Sequence, residues 1–372
     1  MTLAKRNPAA DILRILAFFL VVSVHFFMNN GFYSQRMEGT SMFIMTLMRS
    51  FFIICVPLFL TLSGYLLRKK QLEKKYYGRI SKILLTYLLS SLLCVLYSAV
   101  FLKQKTGITH IILSILGFTA APYSWYVEMY LGLFLLIPFL NIVYHSLPSQ
   151  KSKIWLVLTF IILTALPSVL NIYDLRLADW SFSLSASNTH KLFPAWWEAL
   201  YPITYYYMGC YLSEYGLKIN RTLNVILILV LTAVSGSFCY WSSYQTTFVR
   251  GPWCDYQSLF NVILTLLVFV LITNINYDKL PNSIVRFVQK LSGLCLGSYL
   301  VSWIFDDALY PILLEKVPNF TDRLAYYLVI VPAIFVLSLL ASYLLSKIQL
   351  ILEKGFSFAY KRIRTRSAPT LK

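Results

Sequence analysis

The stretch Asp11-Ile-Leu-Arg14-Ile-Leu-Ala-Phe-Phe-Leu-Val-Val-Ser-Val-His25 decides the fold of this chain. It is apolar enough for a membrane-spanning helix, yet it carries a carboxylate, a guanidinium and an imidazole. Such groups are costly in hydrocarbon, so they normally face the interior of a helix bundle and have a function there. Arg14 and His25 are about three helical turns apart, which is roughly 16 Å along the axis. Asp11 lies one turn before Arg14, so we predict a polar column on one face of this helix.

The composition also indicates a membrane protein. Hydrophobic residues make up 58% of the 372 residues and charged residues only 13%, whereas a soluble domain carries about 25% charged residues. Repeated apolar runs of about 20 residues are long enough to cross a ~30 Å hydrocarbon core as helices. Their continuity argues against the alternating strands of a membrane barrel. The sequence therefore predicts an all-α polytopic protein in contact with the lipid bilayer.

Ten spans are predicted, with both termini in the cytoplasm. They lie at about residues 9–30, 41–67, 80–102, 123–144, 154–172, 198–214, 222–241, 257–274, 291–309 and 324–346. The short apolar segment 108–120 is predicted to be interfacial or re-entrant. We expect one transmembrane domain over residues 1–346 and a basic cytoplasmic tail over 347–372.

The orientation follows from the lysines and arginines. In this topology 23 of them lie on the inner side and 8 on the outer side, as the positive-inside rule requires of a cell-membrane protein. The net charge of +18 therefore reflects the inner loops, and no nucleic-acid partner is predicted. Cys239 and Cys254 flank one outer loop, but their spacing alone does not establish a disulfide.

Depth along the spans brings further ionisable side chains to the level of His25. Arg49 in the second span and Glu128 in the fourth are both predicted in the outer half of the bilayer. A buried carboxylate can orient a histidine, although a hydrogen bond between helices explains Glu128 nearly as well. Nearer the inner face, Arg79 and Lys82 begin the third span one turn apart. They are suited to a phosphate group, although positive-inside anchoring is the favoured explanation when these two residues are taken alone.

Several stretches together resemble the integral-membrane acyltransferase 3 family over residues 9–346. They are Arg14-x10-His25, Val56-Pro-Leu-Phe with Ser63-Gly64-Tyr65, Arg79-x-x-Lys82, Ser124-Trp125 with Glu128, Tyr130 and Pro138, Tyr206-Tyr-Met-Gly209, and Leu291-Ser-Gly-Leu-Cys-Leu-Gly-Ser-Tyr299-Leu-Val-Ser302. The resemblance implies transfer of an acyl group, usually acetyl from cytoplasmic acetyl-CoA, to a hydroxyl of a cell-surface or exported polysaccharide.

The resemblance also implies roles for single residues. Arg14 and His25 take the family's essential positions, and Glu128 joins them as a catalytic candidate. The acetyl-CoA candidates are Arg79, Lys82, Arg14, Ser63 and Tyr65. The chain departs from the family pattern at Lys82, which loses the bidentate geometry of arginine. It departs again at Ser302, where the family has a second histidine.

The acceptor is predicted to be a surface or lipid-linked glycan, handled near the outer face. The candidates for its binding are Arg49, Trp125, Tyr130, Trp196, Trp197 and Asp306. Arg49 is also a candidate for oxyanion stabilisation. Tryptophans at this level equally suit an interfacial belt. No metal is predicted. The alternative function is a transporter or flippase for a glycan or small solute, which would place the same charges along a transport path, but no internal repeat is evident.

Overall fold

The chain folds as a bundle of α-helices. A computed structural model describes residues 8–171 and 193–366, with side chains described as far as residue 354. The described helices are α1 Pro8–Asn29, α2 Gly39–Phe52, α3 Cys55–Leu67, α4 Lys74–Tyr77, α5 Ile80–Val100, α6 Ile108–Leu116, α7 Trp125–Ser146, α8 Gln150–Thr164, α9 Pro167–Leu170, α10 Tyr201–Tyr215, α11 Arg221–Trp241, α12 Leu259–Thr273, α13 Asn282–Lys316 and α14 Tyr327–Arg366. Short 3₁₀ helices cover Phe32–Ser34, Glu198–Leu200, Pro252–Cys254 and Phe320–Tyr326. No β-strand occurs in these residues, only two isolated bridges.

Nine helical segments of the described chain are long and apolar enough to cross a membrane. This confirms the prediction of a polytopic all-α protein. The predicted span 198–214 corresponds to α10, whose 15 residues do not meet that measure. The predicted interfacial segment is α6, which has nine residues and no buried side chain. The helix α14 continues without a break across the predicted start of the tail at residue 347.

The helix ends fall on two opposite faces of the bundle. On one face, which we call the basic face, the α10–α11 and α12–α13 connections meet through Asn274 Nδ2, which donates to the Leu217 carbonyl. On the opposite face, Arg323 Nη1 donates to the Asn30 carbonyl. The helix α10 joins the two faces, because Tyr205 contacts the loop before α12 while Glu214 pairs with Lys153 at the basic face. Within residues 8–171 and 193–366, α10 thus adds a tenth traverse to the nine long apolar segments, although it is short.

The close contact of α3 with α10 depends on two glycines. A Cβ added at Gly64 would lie 1.9 Å from the Tyr206 carbonyl oxygen, and one added at Gly209 would lie 1.9 Å from the Thr61 carbonyl oxygen. Small residues let membrane helices approach backbone to backbone. The prediction that Gly64 permits close helix packing therefore agrees with the structure.

Prolines shape two of the spanning segments. Pro57 lies in the first turn of α3, where its missing N–H is tolerated, and the chain turns at residues 53–54 before it. Pro138 lies inside α7 and cannot bond to the carbonyl of Phe134. The Tyr76 hydroxyl donates to that carbonyl at 2.7 Å, which anchors α4 to α7.

All six cysteines lie within the described residues as buried free thiols. Cys239 and Cys254, for which the sequence left a disulfide open, are hydrogen-bonded neighbours without a disulfide between them.

Candidate active site

A cavity of about 500 Å³ runs along the polar face of α1. This volume is within the range of about 300–1,000 Å³ that small-molecule sites occupy. Its walls come mainly from α1, α3, α7 and α13, and Arg14 and His25 both line it. Since these two residues are three turns apart on one helix, the cavity extends from the basic face toward the opposite face. The predicted polar column is thus the wall of a real cavity.

Arg14 is held in place at the basic-face end. Its Nη1 donates to Ser292 Oγ on α13 and lies 3.4 Å from Asp11 Oδ1. Ser292 Oγ in turn donates to Asp11 Oδ1 at 2.7 Å. A quarter of the Arg14 side chain (26%) remains exposed, so the guanidinium keeps surface for an anion at the cavity entrance.

His25 is enclosed near the other end, with 8% of its side chain exposed. Its Nδ1 lies 3.3 Å from Asp306 Oδ2, within ion-pair distance although not aligned as a hydrogen bond. Tyr123 packs on the imidazole with ring centroids 3.9 Å apart, and its hydroxyl donates to the same Asp306 oxygen at 2.7 Å. Because Nδ1 is covered by this arrangement, Nε2 is the ring nitrogen that can act in the cavity.

Glu128 does not contact His25. It is exposed in the first turn of α7 and does not line the cavity, whereas the neighbouring Val127 does. The position predicted for Glu128 is taken by Asp306, which the sequence assigned only to substrate binding. The depth argument placed Glu128 at the correct level but on the wrong side of its helix, because rotation about the helix axis is set by packing.

Arg49 is also absent from the cavity wall. It is 5% exposed, and its Nε donates to the Tyr33 hydroxyl at 2.7 Å while Nη1 donates to the Cys254 carbonyl at 3.2 Å. The guanidinium lies over the ring of Phe248, 4.5 Å from its centroid. These contacts tie α2 to the loops of the opposite face, so Arg49 is not positioned to stabilise an oxyanion beside His25.

The predicted acetyl-CoA residues divide into two groups. Ser63 lines the cavity, but Tyr65 points away and packs against Phe269 of α12, with ring centroids 5.3 Å apart. Arg79 and Lys82 are exposed on the basic face, outside the cavity. They lie within about one turn of Ile83, which does line it. Lys82 Nζ is 4.0 Å from Glu353 Oε2 on α14, and 73% of the Lys82 side chain is exposed.

The predicted acceptor residues divide in the same way. Trp125 and Tyr130 line the cavity. Trp196 and Trp197 do not, and they are 91% and 51% exposed. Residues 172–192, which precede these two tryptophans, lie outside the described residues. Among the residues that the structure describes, no group of three His, Cys, Asp or Glu side chains could hold a metal ion.

This arrangement joins a basic entrance to a histidine with a carboxylate behind it. The model of the acyltransferase domain family matches residues 7–347, which is nearly the whole chain. The chain belongs to this acyltransferase family. It is therefore a multi-pass membrane acyltransferase, and the enzyme is favoured over the predicted alternative of a transporter or flippase. Neither a curated protein nor a solved structure is detectably similar to it.

The acyltransferase has further cavity residues to which the sequence analysis gave no role in the site. They are Tyr123, Tyr256, Tyr299, Cys55 and Cys295. Because 27 tyrosines occur along the chain, a tyrosine by itself does not mark a site in this sequence. A depth estimate for the ninth span would have placed Asp306 at the level of His25, and this was the one available signal for the pair. Ser302, which stands where the family has a second histidine, is buried one turn before Asp306 and bonds to the Tyr299 carbonyl.

Proposed function

We propose that this acyltransferase moves an acetyl group from cytoplasmic acetyl-CoA to a hydroxyl of a cell-surface or exported polysaccharide. The observation that carries the proposal is the cavity that connects Arg14 at the basic face with His25 near the opposite face. Basic faces of membrane proteins lie in the cytoplasm, where acetyl-CoA is made. The acceptor then approaches from the other side of the cell membrane.

The phosphates of the donor bind at the basic entrance. Arg14, Arg79 and Lys82 supply three positive charges there, and charge-assisted hydrogen bonds to phosphate are about twice as strong as neutral ones. The thioester end enters the cavity past Ser63 and Tyr130. The distance from Arg14 to His25, roughly 16 Å along α1, is comparable with the length of an extended pantetheine arm. The bound donor thus carries its acyl carbon across most of the bilayer.

His25 acts as the general base for the acceptor hydroxyl. Nε2 takes the hydroxyl proton while the oxygen attacks the thioester carbonyl. The carbon–sulfur bond then breaks, and the imidazolium returns the proton to the CoA sulfur. The carboxylate of Asp306 stabilises the imidazolium and fixes the ring orientation, as the acid does in a Ser-His-Asp triad. The sequence also allowed His25 to be a transient acyl carrier. We favour the base because an acid faces Nδ1.

The experiment compares wild type with His25→Ala at matched protein levels in cells. We expect the surface polysaccharide to carry acetyl groups only with the wild-type protein. Each acetyl group adds C₂H₂O, about 42 daltons, to the mass of the polysaccharide fragment that carries it. General acid–base groups contribute about 100- to 10,000-fold, so the variant should show almost none. Full acetylation by His25→Ala would refute the proposal. If the protein incubated with acetyl-CoA alone carried an acetyl group on His25, His25 would be a transient acyl carrier and not a general base.

A further inference from the structure

Three aromatic rings are stacked in a row at the end of the cavity that lies on the opposite face. Trp125 and Tyr256 both line the cavity, with ring centroids 5.6 Å apart and planes inclined by 23°. Tyr256 is followed by Tyr201, at 6.1 Å and 28°. The rings come from α7, from the loop before α12 and from the start of α10. Three separate elements thus converge on one stacked row.

The loop that carries the middle ring is fixed by buried side chains. The Tyr205 hydroxyl donates to the Tyr256 carbonyl at 2.6 Å, and Asn261 Nδ2 donates to the Asp255 carbonyl at 2.6 Å. Tyr205 and Asn261 are almost fully buried, at 0% and 1% exposed. A site that is already ordered costs less conformational entropy when a ligand binds.

The outermost ring keeps a free surface at the cavity opening. Trp125 has one face against Tyr256 and one edge against Tyr126, yet 39% of it is exposed. Met28, which also lines the cavity, is 48% exposed. Asp255 precedes Tyr256 in the chain and is exposed, and its Oδ1 accepts the Tyr256 N–H at 3.0 Å. The opening therefore has a flat apolar platform, and an exposed carboxylate adjoins its middle ring in the chain.

We infer that this row is the acceptor subsite and that it takes a pyranose ring; the inference rests on the proposed function. A pyranose has an apolar C–H face, which suits an aromatic platform, and hydroxyls at its rim, which suit a carboxylate. Tyr123 packs on His25 and is two residues before Trp125, so the Cα atoms of Tyr123 and Trp125 are at most about 7 Å apart. A sugar stacked on Trp125 thus presents a rim hydroxyl near His25.

The test uses the purified full-length protein with acetyl-CoA and methyl pyranosides of glucose, galactose and N-acetylglucosamine as probes. Cyclohexanol serves as a hydroxyl without the sugar rim. Acetyl transfer and CoA release are measured for wild type, Trp125→Ala, Trp125→Phe and Asp255→Asn. Trp241→Ala is the matched control, because Trp241 is 62% exposed and does not line the cavity.

We expect at least one pyranoside to be acetylated in preference to cyclohexanol. Trp125→Ala should raise KM for that pyranoside about tenfold and leave KM for acetyl-CoA unchanged. Trp125→Phe should recover most of the loss, and Asp255→Asn should raise the pyranoside KM by a smaller factor. Trp241→Ala should change neither constant. Rescue by phenylalanine separates loss of a platform from loss of the fold.

Three results would overturn the inference. The first is an unchanged pyranoside KM in Trp125→Ala and Asp255→Asn. The second is a raised KM for acetyl-CoA instead, which would assign the row to the donor. The third is release of CoA from acetyl-CoA by wild type without acetylation of any pyranoside. In that third case the donor half of the proposed function stands. Absence of both CoA release and transfer would refute the proposed function itself.

Discussion

At His25 the neighbouring acid decides which ring nitrogen is left for chemistry. Asp306 and the Tyr123 ring cover the Nδ1 side, so the imidazole presents Nε2 to the cavity. Asp306 Oδ2 receives the Tyr123 hydroxyl as well. A buried carboxylate with two such neighbours can hold the histidine in one tautomer, which is the function of the acid in known triads. We therefore predict that Asp306 positions His25.

Asp306→Asn should therefore lower kcat by about 100-fold or more, as loss of the acid does in a Ser-His-Asp triad, with little change in KM for acetyl-CoA. The amide keeps the size of the side chain and still accepts the Tyr123 hydroxyl, but it removes the charge that stabilises the imidazolium. The rate of CoA release measures the effect. Asp307→Asn is the matched control, because Asp307 accepts the Tyr97 hydroxyl on α5 and does not contact His25. Equal losses in the two variants would contradict the role of Asp306.

The sequence predicted how deep in the membrane a residue lies, but not which way its side chain faces. Hydropathy and span direction placed His25 and Arg14 correctly at the two ends of one helix face. They also placed Glu128 and Arg49 at the level of His25, but the structure turns Glu128 outward and binds Arg49 to Tyr33 and Cys254. The missing information is the rotation of each helix about its axis, which depends on neighbours that are distant in sequence.

At the scale of elements, the pairing of α3 with α10 sets one wall of the cavity. Ser63 and Phe59 of α3 line the cavity, while the other side of α3 meets α10 through Gly64 and Gly209. The sequence predicted that small residues near Ser63 would allow close approach. It did not show that the partner would be α10, whose own glycine lies 145 residues away along the chain.

Gly64→Ala and Gly209→Ala should each destabilise the folded protein by about 3 kcal/mol or more, since the added methyl group meets a backbone carbonyl that cannot rotate aside. Thermal unfolding in detergent, followed by size-exclusion chromatography, measures the loss. Gly132→Ala in α7 is the control, because an added Cβ there meets nothing within 4 Å. Normal thermal stability of both α3–α10 variants would show that the two helices have room to separate.

For the whole molecule, the orientation in the membrane stays a prediction. Most lysines and arginines of the described residues lie on the face that holds Arg79, Lys151 and Arg221, and the positive-inside rule places that face in the cytoplasm. The predicted spans include the short helix α10, which is less apolar than the others: six tyrosines lower the apolar character of this helix, and burial between neighbours replaces lipid contact.

Cysteine labelling in intact cells tests this orientation. The native cysteines are buried, so a membrane-impermeant maleimide should react mainly with an introduced thiol. We expect Lys105→Cys, in the exposed loop after α5, to be labelled from outside. Lys218→Cys, in the exposed loop after α10, should be labelled only after the membrane is permeabilised. The reverse pattern would invert the topology and with it the assignment of the donor side.

Binding of the donor links the two faces and can be measured without an acceptor. Acetyl-CoA at 100 times its Kd should stabilise the purified protein by about 2.7 kcal/mol, seen as a raised Tm. The double variant Arg79→Ala, Lys82→Ala should bind at least about tenfold more weakly, because each charged hydrogen bond to phosphate contributes about 1.5–3 kcal/mol. The double variant Lys218→Ala, Arg221→Ala removes the same charge from the same face, away from the cavity entrance, and should keep the wild-type shift. An equal loss of stabilisation in both double variants would mean that the basic face attracts the donor only by its net charge. If acetyl-CoA did not stabilise the wild type at any concentration, it would not be the donor.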